Sequence, residues 1–422
     1  MVASVPTRAG PQTWASSITI PGDAAGTMVV MGVGTGGGLA TYREVLRLPG
    51  LAPLSVVGFA ARLPVTATGV VLTLHVAIAL DRGFAAAGLV GGAVTAGVAL
   101  GAPLVGRLID RHGLRPVLAL CGTVQAAFWA VVPLLGVTAL VPTAFVAGLL
   151  APPAFSVVRQ SLAASVPAAQ RRPAFALDAM STEVAYAVGP ALGTLVVLTL
   201  PGRGPWLVGA ASVAATGALF WLDPPVRAAG TRPGEEPAPA LRSWLRGPML
   251  AALGATSAAI LVLTATELSV VAALTDRGET AWFAVANTVW CAASLLGGWI
   301  YGAAGRPPPT AVLLALLAVG SLPVALGGPW WAVTLLLVPA GAFCAPALAA
   351  AAETVGRLAP DAARGVATGL HGSALMLGAT VASPLAGVLI DAVAPGAAIA
   401  AASALALAVA LLAAWATRVR GR

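Results

Sequence analysis

The chain has 422 residues, of which 59% are hydrophobic and 9% are charged, and its mean hydropathy is +0.92. With glycine added and tyrosine removed, the apolar share is roughly 70%, against about 45–50% in soluble domains. The 15 acidic and 23 basic residues are too few to cover the surface of a soluble body of this length. These values exclude a soluble globule and predict a polytopic membrane protein.

From about residue 51 onward, apolar runs long enough to cross a bilayer as helices alternate with short breaks that carry Arg, Pro, Gly and Asp. The pattern predicts an all-α membrane protein with twelve transmembrane helices. The predicted spans are 51–80, 84–107, 114–136, 138–162, 174–199, 204–222, 248–274, 281–303, 309–327, 330–352, 365–390 and 395–417.

All 23 basic residues are arginine, and their distribution predicts the topology. If the amino terminus is inside, eighteen arginines fall in cytoplasmic segments, and only Arg82, Arg203 and Arg277 fall outside. This bias predicts a multi-pass protein of the cell (inner) membrane with both termini in the cytoplasm. The net charge of +8 then reflects arginines beside anionic lipid headgroups, and no nucleic-acid partner is predicted.

The composition also divides the chain. Residues 1–45 lack a basic stretch followed by a long apolar one, so we expect a disordered cytoplasmic tail rather than a signal peptide. Residues 223–246 are rich in Pro, Arg and Glu and predict a cytoplasmic linker. The linker separates two six-helix bundles, 46–222 and 247–417, and residues 418–422 form a second cytoplasmic tail.

The two bundles repeat each other. An Asp-Arg-Gly tripeptide follows both the first and the seventh span, and Pro190 and Gly193 recur as Pro384 and Gly387. Tandem halves of this kind are typical of secondary transporters whose substrate site lies between the halves near the midplane.

The break after the second span carries a dense motif. Its residues are Gly106, Arg107, Asp110, Arg111, Gly113 and Arg115. Their spacing resembles the G-x-L-x-D-R-x-G-R-[RK] loop signature of the major facilitator superfamily, with Leu114 in place of a usual basic residue. The resemblance implies the twelve-helix fold of that family, and it implies that Asp110 latches the outward-facing state by capping the eleventh helix. We expect Gly113 to provide a left-handed turn. A plain cytoplasmic turn without a gating role is the alternative.

The fifth span carries Gly189, Pro190 and Gly193. They are similar to the G-x-x-x-G-P-x-x-G-G signature of proton antiporters in the superfamily, with Ala185 and Thr194 in place of two glycines. The resemblance favours export in exchange for protons. Plain helix packing is the alternative, because small residues allow close approach and proline kinks a helix.

Ionisable residues inside the spans need a partner or a function, because a charge deep in hydrocarbon costs at least about 2.5–3.5 kcal/mol. Arg62 and Glu183 lie at matching depth, so we expect them to pair near the midplane, with Asp178 as a second carboxylate nearer the cytoplasm. Glu267 lies towards the outer mouth. These four residues are candidates for proton coupling. A static ion pair, and for Glu267 a residue at the membrane interface, are the alternatives.

Polar and aromatic residues at four further positions could line a cavity or simply pack: Gln125, Tyr186, Asn287 and Trp290. Walls of mostly Ala, Val and Leu suit a lipophilic or amphipathic solute better than a sugar. No nucleotide-binding loop, metal-ligand spacing or catalytic arrangement is recognisable, so we predict no enzyme, no cofactor and no metal.

We therefore expect a monomeric transporter that exports a small-molecule substrate in exchange for protons. A proton-coupled importer of a small metabolite is one alternative. A membrane scaffold or receptor that retains the fold without transporting is another.

Overall fold

The computed structural model describes residues 43–167, 170–200, 202–226, 241–303, 308–360 and 363–420. Within these ranges every regular element is a helix. Most of the predicted amino-terminal tail, the linker residues 227–240 and the last two residues lie outside the described part of the chain.

Six membrane-spanning segments make up the first half of the protein. They are α1 (Leu51–Leu74), α2 (Phe84–His112), α3 (Leu114–Val131), α4a (Val137–Leu149) with α4b (Ala154–Ser165), α5 (Arg171–Thr199) and α6 (Gly204–Leu222). A π-helical turn, His75–Ala79, extends α1, and α4a and α4b together form one span.

A short helix, Leu241–Trp244, precedes the second half. The helices that follow are α7 (Gly247–Asp276), α8 (Phe283–Ala303), α9 (Thr310–Ser321), α10 (Trp330–Leu358), α11 (Arg364–Ala392) and α12 (Pro395–Arg420). Among the described residues, eleven helices are long and apolar enough to cross a membrane, and Thr310–Leu326 is a shorter apolar segment. The predicted all-α membrane fold is confirmed, with a ninth span shorter than the others.

Two predicted boundaries need correction. The segment predicted as a loop after the second span is mostly helix, because α2 continues through His112. Only Gly113 interrupts it, with φ 84° and ψ 169°. The positive φ matches the prediction, whereas the extended ψ places this glycine outside the left-handed helical region. The fourth span is not continuous, since α4a ends before Pro152 and Pro153 and prolines disrupt helical hydrogen bonding.

Helices pack mainly within each half. In the first half α1 contacts α5 and α6, α2 contacts α4a, and α3 contacts α6. In the second half α7 contacts α10, α11 and α12, and α8 contacts α10. Two helix pairs join the halves, α2 with α11 and α5 with α8. The repeat relates these two pairs to each other, because α8 is the counterpart of α2 and α11 is the counterpart of α5.

The bundle has two distinct ends, which we call the Asp391 end, where α2 begins and α11 ends, and the Asp110 end, where α2 ends and α11 begins. At the Asp391 end a Cβ on Gly88 would collide with the backbone of Ser383, and the halves therefore meet backbone to backbone. Thr380 of α11 contacts α2 through a hydrogen bond to Thr95. Gly369 lies three turns before Thr380, on nearly the same face of α11. A Cβ on Gly369 would meet no atom within 4 Å. The close approach of the halves at the Asp391 end is thus not matched at Gly369.

Candidate functional site

Among the described residues Arg62 is the largest fully buried side chain, only 1% exposed, and it lies midway along α1. One terminal nitrogen forms an ion pair with the carboxylate of Asp178 on α5. The other donates to the Ser181 hydroxyl at 3.4 Å. The guanidinium carbon also lies 5.1 Å from the centre of the Phe155 ring, a cation–π contact. Arg62 therefore fastens α1 to α4b and α5.

The prediction that Arg62 pairs with Glu183 is wrong, because the acidic partner of Arg62 is Asp178. Asp178 and Glu183 are five residues apart on α5, which places them about 140° apart around the helix. Their depth in the membrane follows from the sequence, but the direction in which each faces does not. Asp178 faces α1, and Glu183 turns away from it.

Arg159 on α4b is a site residue that the sequence reasoning missed. Its Nε donates to Asp178 Oδ2 at 3.3 Å, so one carboxylate is shared by two guanidinium groups. The side chain of Arg159 is 57% exposed, unlike the buried Arg62. The signal in the sequence is an arginine one turn after Phe155 inside an apolar run, although Arg159 also lies near the end of the predicted span.

Glu183 on α5 and Glu267 on α7 are both half-buried. In the described structure neither carboxylate forms a hydrogen bond or an ion pair. Both interact electrostatically with the phenol of Tyr186 and with the thiol of Cys291 on α8. The two glutamates, one from each half, therefore lie near one region between the halves.

Tyr186 lies near both glutamates. Its ring stacks against Phe155 at 6.1 Å between centroids, and half of the residue is exposed. Its carbonyl accepts a hydrogen bond at 3.1 Å from the side-chain amide of Asn287 on α8, which also donates to the next carbonyl of α5 at 3.1 Å. The phenol also interacts electrostatically with Arg159 and Arg62. Tyr186 thus stands between the arginines and the glutamates.

The other cavity candidates have different surroundings. Gln125 is buried and donates to the Ala147 carbonyl at 2.9 Å, which joins α3 to α4a. Trp290 is buried against α10, where its ring leaves no room for a Cβ on Gly341. Asn287 is buried at the contact between the halves. Three of the four are thus buried and agree with the packing alternative, and Tyr186, half of which is exposed, remains the candidate for lining a cavity.

The glycines of the fifth span pack α5 against α1 within one half. A Cβ on Gly189 would collide with the hydroxyl of Thr66, and one on Gly193 would crowd Val71. The Thr66 hydroxyl donates to the Ala185 carbonyl at 2.9 Å, so the alanine that replaces a motif glycine lies in the same contact. These contacts agree with the packing alternative, and the role in proton antiport stays a prediction.

At the Asp391 end, the carboxylate of Asp391 on α11 accepts hydrogen bonds from the first two backbone amides of α2, those of Phe84 at 2.8 Å and Ala85 at 2.7 Å. The hydroxyl of Thr380 donates to that of Thr95 at 3.1 Å along the same contact. A negative charge is stabilised at a helix amino terminus, so Asp391 caps α2 across the two halves.

At the Asp110 end, the predicted cap on helix eleven remains a prediction, because residues 361 and 362, just before α11, lie outside the described residues. Asp110 itself is exposed near the end of α2. Arg115 of the same motif pairs with Asp223 at 3.2 Å and lies 5.7 Å from the Phe220 ring, so it joins α3 to the end of α6. Among the described residues no three His, Cys, Asp or Glu side chains lie close enough to hold a metal ion.

Comparison with known proteins agrees with this architecture. The family model of the Major Facilitator Superfamily matches residues 54–340. No curated protein matches the chain. Solved structures of similar shape include the nucleoside transporter NupG (TM-score 0.70, 13% identity, covering 87% of this chain and 99% of that one).

Two further neighbours have comparable coverage. A bacterial homologue of the human lysosomal transporter Spinster, inward-facing and occupied, has a TM-score of 0.63 and 14% identity, covering 89% of this chain and 97% of that one. A POT family transporter in complex with a thioalcohol-conjugated peptide has a TM-score of 0.64 and 12% identity, covering 88% and 98%. Identities this low show the fold alone, whereas the family model matches well over half of the chain. The chain belongs to the Major Facilitator Superfamily.

Proposed function

We propose that the protein is a secondary transporter that exports small lipophilic or amphipathic compounds in exchange for protons by alternating access. The observation that carries this proposal is the pair Glu183 and Glu267. These carboxylates come from different halves, interact electrostatically with the same two side chains, Tyr186 and Cys291, and form no ion pair in the described structure. Intramembrane carboxylates of this kind are typical of proton pathways in transporters.

We also propose an orientation for the described conformation. The arginine bias assigns the Asp110 end to the cytoplasm. The Asp391 end, where the halves are packed closely, is then the outer end, and substrate would enter the described conformation from the cytoplasm. Every alternating-access transporter passes through such a state, so we base export on the resemblance of the fifth span to antiporters, and the flux assay below tests it. Each chain contains both halves, so we propose that a monomer is the working unit.

Exchange requires that the substrate and the proton do not travel together. Carboxylates that bind either a proton or a polar group of the substrate make the two compete for one site. We assign that role to Glu183 and Glu267. The cluster of Arg62, Asp178 and Arg159 then holds three helices of the first half together. The flux assay below, applied to a variant of Asp178, tests whether this carboxylate takes a direct part in proton transfer.

The named ligands of two neighbours support a small-molecule substrate. NupG is described as a nucleoside transporter, and the POT family structures contain a conjugated peptide and 5-aminolevulinic acid. The present chain is proposed to accept molecules with a larger apolar part, because its spans are rich in Ala, Val and Leu.

The test is probe flux in liposomes that contain the purified protein and have an acidic lumen. Ethidium, a permanent cation, and neutral N-phenyl-1-naphthylamine are suitable probes. Exchange predicts that a probe accumulates in the acidic lumen while protons leave. Movement of the probe together with protons would instead indicate an importer, and the absence of any coupled flux would favour a scaffold. Glu183→Gln and Glu267→Gln should remove the pH dependence, and Glu353→Gln, at an exposed glutamate bonded to Tyr301, should retain it.

A further inference from the structure

The space between the halves contains a positive charge that its neighbours do not neutralise. Asp178 is shared by two guanidinium groups, so the cluster of Arg62, Asp178 and Arg159 carries one net positive charge. Arg62 is buried and holds Asp178 directly. Arg159 contacts Asp178 only through Nε at 3.3 Å, and its side chain is 57% exposed. The terminal nitrogens of Arg159 are therefore available for a ligand in the described conformation.

The same space contains uncompensated negative charge. Glu183 and Glu267 interact electrostatically with Tyr186, as does Arg159, yet neither glutamate forms an ion pair with Arg159 in the described structure. Opposite charges that lie near one aromatic side chain without pairing can be bridged by a ligand that carries both signs. The bridge would also join the two halves, because Glu267 belongs to the second half and Arg159 to the first.

An aromatic surface separates the two charged regions. The ring of Tyr186 is half exposed, and its partner Phe155 lies one turn before Arg159 on α4b. The two rings are nearly parallel, with an angle of 27° between their planes. An apolar or aromatic ligand body could pack on the exposed part of Tyr186 while its ends reach the charges on either side.

We propose that the substrate is a zwitterionic amphiphile, whose carboxylate binds Arg159, whose ammonium group binds Glu183 and Glu267, and whose apolar body packs against Tyr186. Arginine binds carboxylates through two parallel hydrogen bonds, which its free terminal nitrogens allow. The inference rests on the proposed function, because the ammonium group and protons compete for the same glutamates. Exchange requires that competition. The contact with Arg159 adds a binding site for the anionic end of the substrate.

The test uses four compounds built on one scaffold. They are 4-(4-aminobutyl)benzoic acid, its methyl ester, 4-butylbenzoic acid and methyl 4-butylbenzoate, which at neutral pH are a zwitterion, a cation, an anion and a neutral molecule. Affinities are measured by calorimetry on the purified full-length protein at constant pH, with no proton gradient. The zwitterion is expected to bind at least about tenfold more tightly than the cation or the anion, since a charge-assisted hydrogen bond is lost with either end.

Variants assign each end of the ligand. Arg159→Gln should lower the affinity for the zwitterion about tenfold and leave that of the methyl ester of the amine unchanged. Glu267→Gln should weaken both amines and leave 4-butylbenzoate unchanged. Arg277→Gln is the matched control, because Arg277 also pairs through Nε with a carboxylate, Glu279 at 3.4 Å, is 50% exposed, and lies outside the cavity. It should keep the wild-type affinities.

Three results would overturn the inference: equal affinity of the zwitterion and its ester, an equal effect of Arg159→Gln on both, or no binding of any of the four. If Arg159→Gln lost its cooperative melting transition, Arg159→Lys would replace it, with the zwitterion preference expected to persist. The proposed function can be overturned independently of this inference. Proton-coupled ethidium flux without a zwitterion preference would overturn only this inference, and zwitterion binding without proton exchange would contradict only the coupling.

Discussion

Asp391, the second-last residue of α11, caps the amino terminus of α2 by accepting hydrogen bonds from the backbone amides of Phe84 and Ala85. Asp110 stands in the reciprocal place, near the carboxyl end of α2 and facing the end of the bundle where α11 begins. Each helix of this pair thus ends in a carboxylate that can cap the other. The Asp391 cap is formed in the described conformation, and the Asp110 cap stays a prediction of the motif resemblance.

Replacing Asp391 should loosen the Asp391 end. Asp391→Ala removes a charged cap, a loss of about 1–2 kcal/mol, which shifts a two-state equilibrium by roughly five- to thirtyfold. Electron–electron resonance distances between spin labels at the exposed positions Leu134 and Leu326 would detect the shift, because these residues lie at this end in different halves. The labels require a background without the three native cysteines.

In Asp391→Ala the distance distribution between the labels should gain a longer component. Glu353→Ala, at the other end of the bundle, is the control and should keep the wild-type distribution. An unchanged distribution in Asp391→Ala would show that the glycine contacts alone hold this end closed.

The close approach of α2 and α11 gives a second prediction. Gly88→Ala introduces a Cβ against the Ser383 backbone, so the helices must separate, whereas Gly369→Ala faces open space. Alanine is more favourable than glycine in a helix by roughly 0.5–1 kcal/mol. Gly369→Ala should therefore raise the melting temperature slightly, and Gly88→Ala should lower it and lengthen the Leu134–Leu326 label distance. The opposite ranking of the two melting temperatures would contradict the packing described at the Asp391 end.

The buried arginine depends on its carboxylate partner. Asp178→Asn leaves Arg62 without a counter-charge at a site where it is 1% exposed, and breaking a buried pair from one side costs about 3–5 kcal/mol. Asp223→Asn removes the partner of the exposed Arg115 and should cost less than about 1 kcal/mol. Chemical denaturation in detergent measures both free energies of unfolding.

The double variant Arg62→Leu/Asp178→Leu tests the cause of the Asp178→Asn effect. It should be more stable than Asp178→Asn, because no buried charge then lacks a counter-charge and only the exposed Arg159 has lost its partner. A double variant less stable than the single one would mean that Asp178 contributes through its hydrogen bonds rather than through its charge.

Much of the fold was predictable because a bilayer imposes length and polarity on every span. The starts of six helices fall at the predicted residues, namely α1, α2, α3, α6, α10 and α12, as do the ends of α5, α6 and α8. The other boundaries differ by a few residues. The exceptions have local causes. The segment around Asp110 remains helical up to the glycine with a positive φ, and a Pro-Pro pair breaks the fourth span.

The site was predictable only in part. The sequence indicates how deep a residue lies in the membrane, and it identified Arg62, Asp178, Glu183 and Glu267 as buried ionisable groups. The face of the helix is a tertiary property, which is why Glu183 was assigned to Arg62 in place of Asp178. Asp391 was missed although the dipole argument used for Asp110 applies to it equally, since both are carboxylates near the carboxyl end of a helix.

The central claim is that Glu183 and Glu267 exchange protons for substrate. The most direct measurement is the lumen pH of proteoliposomes that contain a trapped pH-sensitive dye and no initial gradient, after external addition of ethidium or the tightest-binding compound of the benzoate series. We predict that the lumen becomes more alkaline than in protein-free liposomes, and that the Glu183→Gln/Glu267→Gln variant abolishes the change while Glu353→Gln retains it. A lumen that acidifies, or an alkalinisation that persists in the double variant, would contradict the account.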